Sequence, residues 1–251
     1  MLKGKVIITT QPADQAEEML MLLNTKGAKA YNLPMIETQT IKIPGKELHQ
    51  LLQPGNFDLL VFTSKKGVRG FFGNLSELQG NYNLPHKLKI TVVGHATGAE
   101  LEKHGHVANF LNPGTDAKDL AEFLSKNISK TGNKILLALG NKAPDFLETT
   151  LSEIAIVKRI NVYETIQLSM VDEKIALLLT NKKTDMCIFT SPSGFYAFLD
   201  VFHDANSLLL AAIGNTTAHT IRECGYEVVV TAPYPSAQSL VKAIEDYFTK
   251  R

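Results

Sequence analysis

The sequence predicts an α/β fold: two parallel-sheet α/β domains related by an internal repeat and joined by a two-stranded linker. Three observations carry this. Short apolar runs of strand length alternate with helical patterns of about 10–15 residues, which implies parallel sheets covered on both faces. One module occurs twice without a gap, setting Gly94 against Gly214, Thr97 against Thr217, Gly105 against Gly225 and Pro113 against Pro233, an offset of 120 residues. A second repeat, Thr63-Ser64-Lys65-Lys66-Gly67 and Thr190-Ser191-Pro192-Ser193-Gly194, has an offset of 127.

Taken in order, residues 6–9 form a β-branched strand ending in Thr9-Thr10-Gln11-Pro12. Ala16, Met19, Leu20 and Leu23 follow at i, i+3, i+4, i+7, one apolar helix face, with a stop near Gly27. Residues 28–33 read as a second strand, and the alternating, Thr-rich residues 35–43 as a linker strand closed by Pro44-Gly45. A short helix at 47–52 and an apolar strand at 56–63 lead into a helix that starts at Ser64 and runs through Phe72. The two offsets differ by seven residues, which a loop within 74–84 absorbs. Residues 90–93 are a strand, Gly94 turns the chain, Thr97 caps the next helix, and Gly105 sits where a helix ends in a left-handed residue. Beyond Pro113 comes a helix at 117–124.

The order then restarts. Residues 134–139 are a buried strand ending at Gly140, and Phe146, Leu147, Leu151 and Ile154 form the apolar face of its helix. Residues 157–162 are a strand and 163–165 a second extended connector. Pro192 fits the first turn of the helix after Ser191, where a missing N–H costs little. Residues 208–213 form the strand before Gly214, Thr216 or Thr217 caps the helix that Gly225 closes, and 227–231 and 237–248 are the last strand and helix. Because each connector follows the first strand pair of its repeat, the expected division is residues 1–35 plus 166–251 as one discontinuous domain, 40–162 as an inserted one, and linkers at about 36–39 and 163–165.

Composition narrows the function. The 251 residues are 44% hydrophobic and 20% charged, with 26 Lys and Arg against 25 Asp and Glu. A formal charge of +1 without a basic run leaves no nucleic-acid footprint and no polybasic membrane patch. No apolar stretch approaches the roughly 20 residues that span a bilayer, and the opening MLKGKVIITT starts a strand rather than a signal peptide, so the expectation is a cytoplasmic protein. Cys187 and Cys224 fit neither a metal site nor a disulfide framework. His104 and His106, two residues apart without a carboxylate pattern, read as surface residues, and no metal is expected. No P-loop or dinucleotide fingerprint is present and no cofactor is called for.

The candidate site comes from the repeats. A strand whose C-terminal end opens onto a helix N-terminus presents unpaired N–H groups and a positive dipole end, which suit anions. Four such turns begin at strand ends, where open α/β sheets bind ligands: Thr63, Ser64 and Lys65; Gly94, His95, Ala96 and Thr97; Ser191, Pro192, Ser193 and Gly194; and Gly214, Asn215, Thr216 and Thr217. Their Ser and Thr residues are also ordinary helix caps, and Lys65 and Lys66 are either carboxylate contacts or a solvated helix start.

With these residues in view, the chain resembles the uroporphyrinogen-III synthase family. The matching pieces are LLVFTSKKGVRGFF (59–72), VVGHATGAELEKHG (92–105), RINVYETI (159–166), FTSPSGFYAFL (189–199), and AIGNTTAHTIRECG with APYPSAQSLVKAI within 212–244. Where bacterial members often carry arginines, this chain has Gln11, Leu139 and Pro144, with Lys142 as a nearby cation. The resemblance implies two α/β domains on a two-stranded linker and a small-molecule substrate, the linear tetrapyrrole hydroxymethylbilane with its acetate and propionate groups. It implies loss of the terminal hydroxyl as water, a spiro intermediate and inversion of the last pyrrole ring, without a cofactor. Tyr163 matches the family tyrosine and is either a general acid or hydrogen-bond donor, or a residue packing the linker. No single substitution among Ser64, Thr97, Ser191, Thr216 and Thr217 is expected to abolish activity, since backbone donors survive side-chain truncation. The expected state is a monomer. A non-catalytic two-domain sensor of an anionic small molecule would show the same turns.

Overall fold

The computed structural model describes residues 2–78, 83–112, 117–127, 133–168 and 170–250. Strands β1 (Val6–Thr9) and β2 (Lys29–Asn32) flank helix α1 (Glu17–Thr25), which a 3-10 turn at Ala13–Gln15 precedes. Strand β3 (Ile36–Thr40) leads to α2 (Gly45–Leu51), β4 (Leu59–Phe62), α3 (Lys65–Ser76), β5 (Lys89–Val93), α4 (His95–Lys103), β6 (Phe110–Asn112), α5 (Ala117–Asn127), β7 (Lys134–Gly140), α6 (Phe146–Ser152) and β8 (Ile156–Gln167). Then come α7 (Glu173–Thr180), β9 (Met186–Phe189), α8 (Pro192–Phe202), β10 (Leu209–Ala212), α9 (Asn215–Glu223), β11 (Val228–Thr231) and α10 (Ala237–Thr249). The chain divides into two compact units, Met1–Glu37 with Ile166–Arg251, and Thr38–Thr165.

The first unit holds a parallel sheet in the order β11-β10-β9-β1-β2. Its centre joins distant stretches, since β1 pairs with β9, Ile8 opposite Cys187. The second sheet runs β3-β8-β7-β4-β5-β6, parallel from β8 to β6. At its edge β3 is antiparallel to β8, because the Ile41 N–H donates to the Val162 carbonyl at 3.1 Å while the Leu168 N–H donates to that of Met35 at 3.0 Å.

Alternation explains the apolar runs. In β4, Leu60 and Phe62 enter one core with Phe71 and Phe72 of α3, and Leu59 and Val61 enter the opposite core with Leu120 and Leu124 of α5. Likewise Ile8 of β1 packs with Phe189, Phe195 and Phe198, and Ile7 with Met19, Leu240 and Ile244. A strand buried on both faces has no polar side to show. Gly105 and Gly225 take φ of +78° and +88° just past α4 and α9, ending both copies of that helix alike.

Several local readings need correction. Thr97 and Thr217 do not cap: the caps of α4 and α9 are Gly94 and Gly214, without a side-chain bond, and the two threonines lie inside the first turn, 5% and 3% exposed. Helix α3 continues to Ser76, so Asn74 is helical and not loop. Its side chain is buried and fully used, accepting the Ile43 N–H at 2.7 Å and donating to the carbonyls of Ile41 at 2.9 Å and Gly70 at 2.8 Å. Residues 79–82 of the expected loop, and Pro113, lie outside the described residues. Phe146 is 47% exposed, and α6 buries Leu147 and Leu151. The strand and connector read at 157–165 are one strand, β8, because its second part finds β3 as partner. Helix α7 had no expectation; Asp172 caps it, accepting from the N–H groups of Lys174 and Ile175 at 2.9 and 3.2 Å.

Candidate active site

In the unit Thr38–Thr165, the N-terminus of α3 meets β8. Ser64 caps α3, its Oγ accepting the Gly67 N–H at 3.1 Å. The same Oγ lies 3.3 Å from the phenolic Oη of half-buried Tyr163. Two residues 99 apart in sequence, one singled out for binding and one for catalysis, therefore share a hydrogen bond. A Cβ on Gly67 would stand 2.9 Å from the Ala138 carbonyl, so glycine lets the helix start close against β7. Thr63 is half-buried in the turn, Lys65 is exposed, and the Lys66 ammonium donates to Thr38 Oγ1 at 2.6 Å, fastening α3 to β3.

At α4, Gly94 has φ +72°, and its carbonyl accepts the N–H groups of Thr97 and Gly98 at 3.2 Å each. The donors with no carbonyl one turn back are those of His95 and Ala96, both exposed residues. His104 and His106, beyond the same helix, stack on the Phe72 ring with centroids 4.9 and 5.0 Å away. Burial pushes the His106 pKa down, and the neighbouring His104 adds to the shift. Among the described residues no group of three or more His, Cys, Asp or Glu is placed to hold a metal ion.

The other unit repeats the cap. Ser191 Oγ accepts the Gly194 N–H at 3.1 Å, Pro192 opens α8, and Ser193 Oγ lies 3.2 Å from Ser191 Oγ. A cavity of about 370 Å³ is lined by Ser191, Pro192, Gly214, Asn215, Thr216 and Thr217, gathering two of the expected turns. Its remaining wall includes Ala232, Pro233 and Pro235, after β11. Sequence reasoning did not place that third turn in the site, although the repeated proline was the available signal. Gln11 turns inward: its carbonyl takes a hydrogen bond from Thr9 and its amide donates to the Gln15 carbonyl. Leu139 is a core residue of β7, and Lys142 and Pro144 are exposed in the turn after it.

The sequence model of the family described as uroporphyrinogen-III synthase HemD matches residues 17–242. The chain belongs to the uroporphyrinogen-III synthase family. Relatives from this family include the uroporphyrinogen-III synthases of Chlorobaculum parvum, 27% identical over 96% of this chain and 98% of that one, and of Synechococcus elongatus, 24% identical over 98% and 96%. Solved uroporphyrinogen III synthases share the fold. A mutant enzyme from Thermus thermophilus has a TM-score of 0.69 at 17% identity, covering 99% of this chain and 100% of its own. The Helicobacter pylori enzyme has a TM-score of 0.68 at 21% identity, covering 98% and 100%. The match to the uroporphyrinogen-III synthase family takes in residues of both units and the starts of α3, α4, α8 and α9.

Proposed function

We propose that this protein is a uroporphyrinogen-III synthase, a cyclising hydro-lyase that converts hydroxymethylbilane to uroporphyrinogen III with loss of water and inversion of ring D. The observation that carries the reading is the family match across residues 17–242. It is the basis for preferring an enzyme to a sensor of an anionic small molecule. Loss of the terminal hydroxyl gives an electrophilic azafulvene, which closes through a spiro intermediate. The bilane also closes unaided, to the uninverted isomer, so the protein's main task is to hold the chain such that the substituted carbon is attacked.

In this reading the substrate carboxylates are met by the N–H groups at the starts of α3, α4, α8 and α9, which suits a chain of formal charge +1. The phenol of Tyr163 donates toward the leaving hydroxyl or the charge that develops there. The hydrogen bond between Tyr163 and Ser64 supports that placement, because it sets the phenol at a helix N-terminus. We further propose that the protein works as a cytoplasmic monomer; no helix among the described residues is long and apolar enough to cross a membrane.

The test supplies purified protein with freshly generated hydroxymethylbilane, oxidises the products and separates the porphyrin isomers. Isomer III in excess over a protein-free control is expected. Isomer I alone, from folded protein, would leave the sensor. Tyr163→Phe is expected to lower kcat about 10- to 100-fold, the worth of one hydrogen bond to a developing charge, whereas a sensor would change in affinity alone.

A further inference from the structure

Strand β8 bulges at a single residue. Leu139 of β7 stands opposite Asn161, yet the next pair is Gly140 opposite Tyr163, so Val162 is an extra residue in the ladder. Its carbonyl turns to β3 and accepts the Ile41 N–H at 3.1 Å. Helix α3 closes on the same carbonyl at Gly70, where a Cβ would stand 2.3 Å away. A bulge of this kind bends its strand and re-aims the side chain that follows.

The side chain that follows is Tyr163, and the surroundings hold it. A Cβ on Gly140 would lie 2.4 Å from Cζ, 2.5 Å from Cε2 and 2.7 Å from Oη, so the ring fills the space a side chain would take. Asn141 grips the backbone on both sides of Glu164: its N–H donates to the Tyr163 carbonyl at 3.0 Å, and its Oδ1 accepts the Thr165 N–H at 3.2 Å. Arg159 in turn fixes the turn that carries Gly140 and Asn141, Nη2 donating to the carbonyls of Gly140 at 2.9 Å and Ala143 at 3.0 Å, Nη1 to Asp145 at 2.8 Å.

We infer that Gly140, Asn141 and Arg159 are positioning residues that, with the bulge at Val162, aim the Tyr163 phenol at Ser64; the inference rests on the role proposed above for Tyr163. They act on turnover through Tyr163. A displaced catalytic group of about 1 Å costs on the order of 100-fold, which makes the network measurable.

The experiment measures kcat and KM with hydroxymethylbilane for Gly140→Ala and Asn141→Ala, each in the wild-type and the Tyr163→Phe background. Alongside, 3-fluorotyrosine placed at position 163 is followed by fluorine NMR. Expected are a kcat lowered about 10- to 100-fold, a KM changed less than about twofold, and a displaced or broadened fluorine resonance. In the Tyr163→Phe background the same substitutions lose less than about twofold, because groups acting as a unit are not additive. Asn141→Asp keeps the Oδ1 acceptor and restores most of the rate. Equal losses in both backgrounds, or an unmoved resonance, overturn the inference. Should Gly140→Ala fail to fold, Asn141→Ala carries the test. A Tyr163→Phe enzyme with wild-type kcat removes the role of Tyr163 itself, and the fluorine resonance then tells whether the ring was nonetheless held in place.

Discussion

Glu100 shows how one side chain can tie two helices and record pH. It is buried on α4 at 5% exposure, and Arg69 of α3 reaches its two carboxylate oxygens with Nε at 2.7 Å and Nη2 at 3.1 Å, Lys103 adding a third contact. The Arg69 guanidinium holds the carboxyl at about 2, well below its ordinary 4.5. The unfolded carboxyl takes up its proton first, so this contribution to stability is whole above pH 4.5 and is lost as pH falls toward 2. Arg69→Met is expected to cost about 1–2 kcal/mol near pH 7, by urea midpoint, and to flatten the acid limb. His106 acts in a higher window. Its folded pKa lies below 6.5, so protonation of the unfolded chain erodes stability as pH falls through 6.5, and His106→Gln should abolish that slope. Cys187, wholly buried and with its pKa pushed far up by burial, should stay unreactive to a thiol reagent until the protein unfolds.

Among elements, α3 approaches β8 closely at Gly70. Gly70→Ala places a methyl against the Val162 carbonyl, with overpacking expected at roughly 1–3 kcal/mol; urea unfolding would read that loss, and isomer III yield should fall with it because Tyr163 follows Val162. Ser64→Ala and Ser191→Ala remove one cap each, about 1 kcal/mol apiece. Much of the element level was legible beforehand. Strands buried on both faces are apolar at nearly every position, so the strands around 59–62 and 134–139 stood out, and glycine past α4 and α9 marked their ends. What the sequence hid was contact across distance. Nothing local links Ser64 with Tyr163, the bulge that aims Tyr163 depends on β7 and β3 together, and Gly140 reads as a turn until the ring is seen above it. Thr97 misled for another reason: threonine serves equally as a cap or as a small buried filler, and only packing decides.

At the scale of the molecule, duplication supplied the scaffold and divergence set the two connectors apart. The caps at Ser64 and Ser191 agree to within 2° in φ and ψ, with the same 3.1 Å bond. Yet where one unit has Tyr163-Glu164-Thr165, the corresponding Ile36-Glu37-Thr38 begins with an isoleucine buried in the core. The unit Thr38–Thr165 is one continuous stretch with its own two-sided core, and as a fragment it is expected to unfold cooperatively in urea. Deleting residues 1–37 should instead leave the remainder aggregation-prone by light scattering, since it strips β1 and β2 from the sheet and bares the edge of β9. The pairing of β1 with β9 also sets a timetable for the ribosome. Translation of the roughly 180 residues that separate them takes about 10–35 seconds at ordinary rates. During that interval the inserted unit emerges complete, while β1 waits with one edge open for a partner still to be made. The opening of the chain is thus among the last parts to be secured, and a nascent-chain chaperone would be expected to find it there.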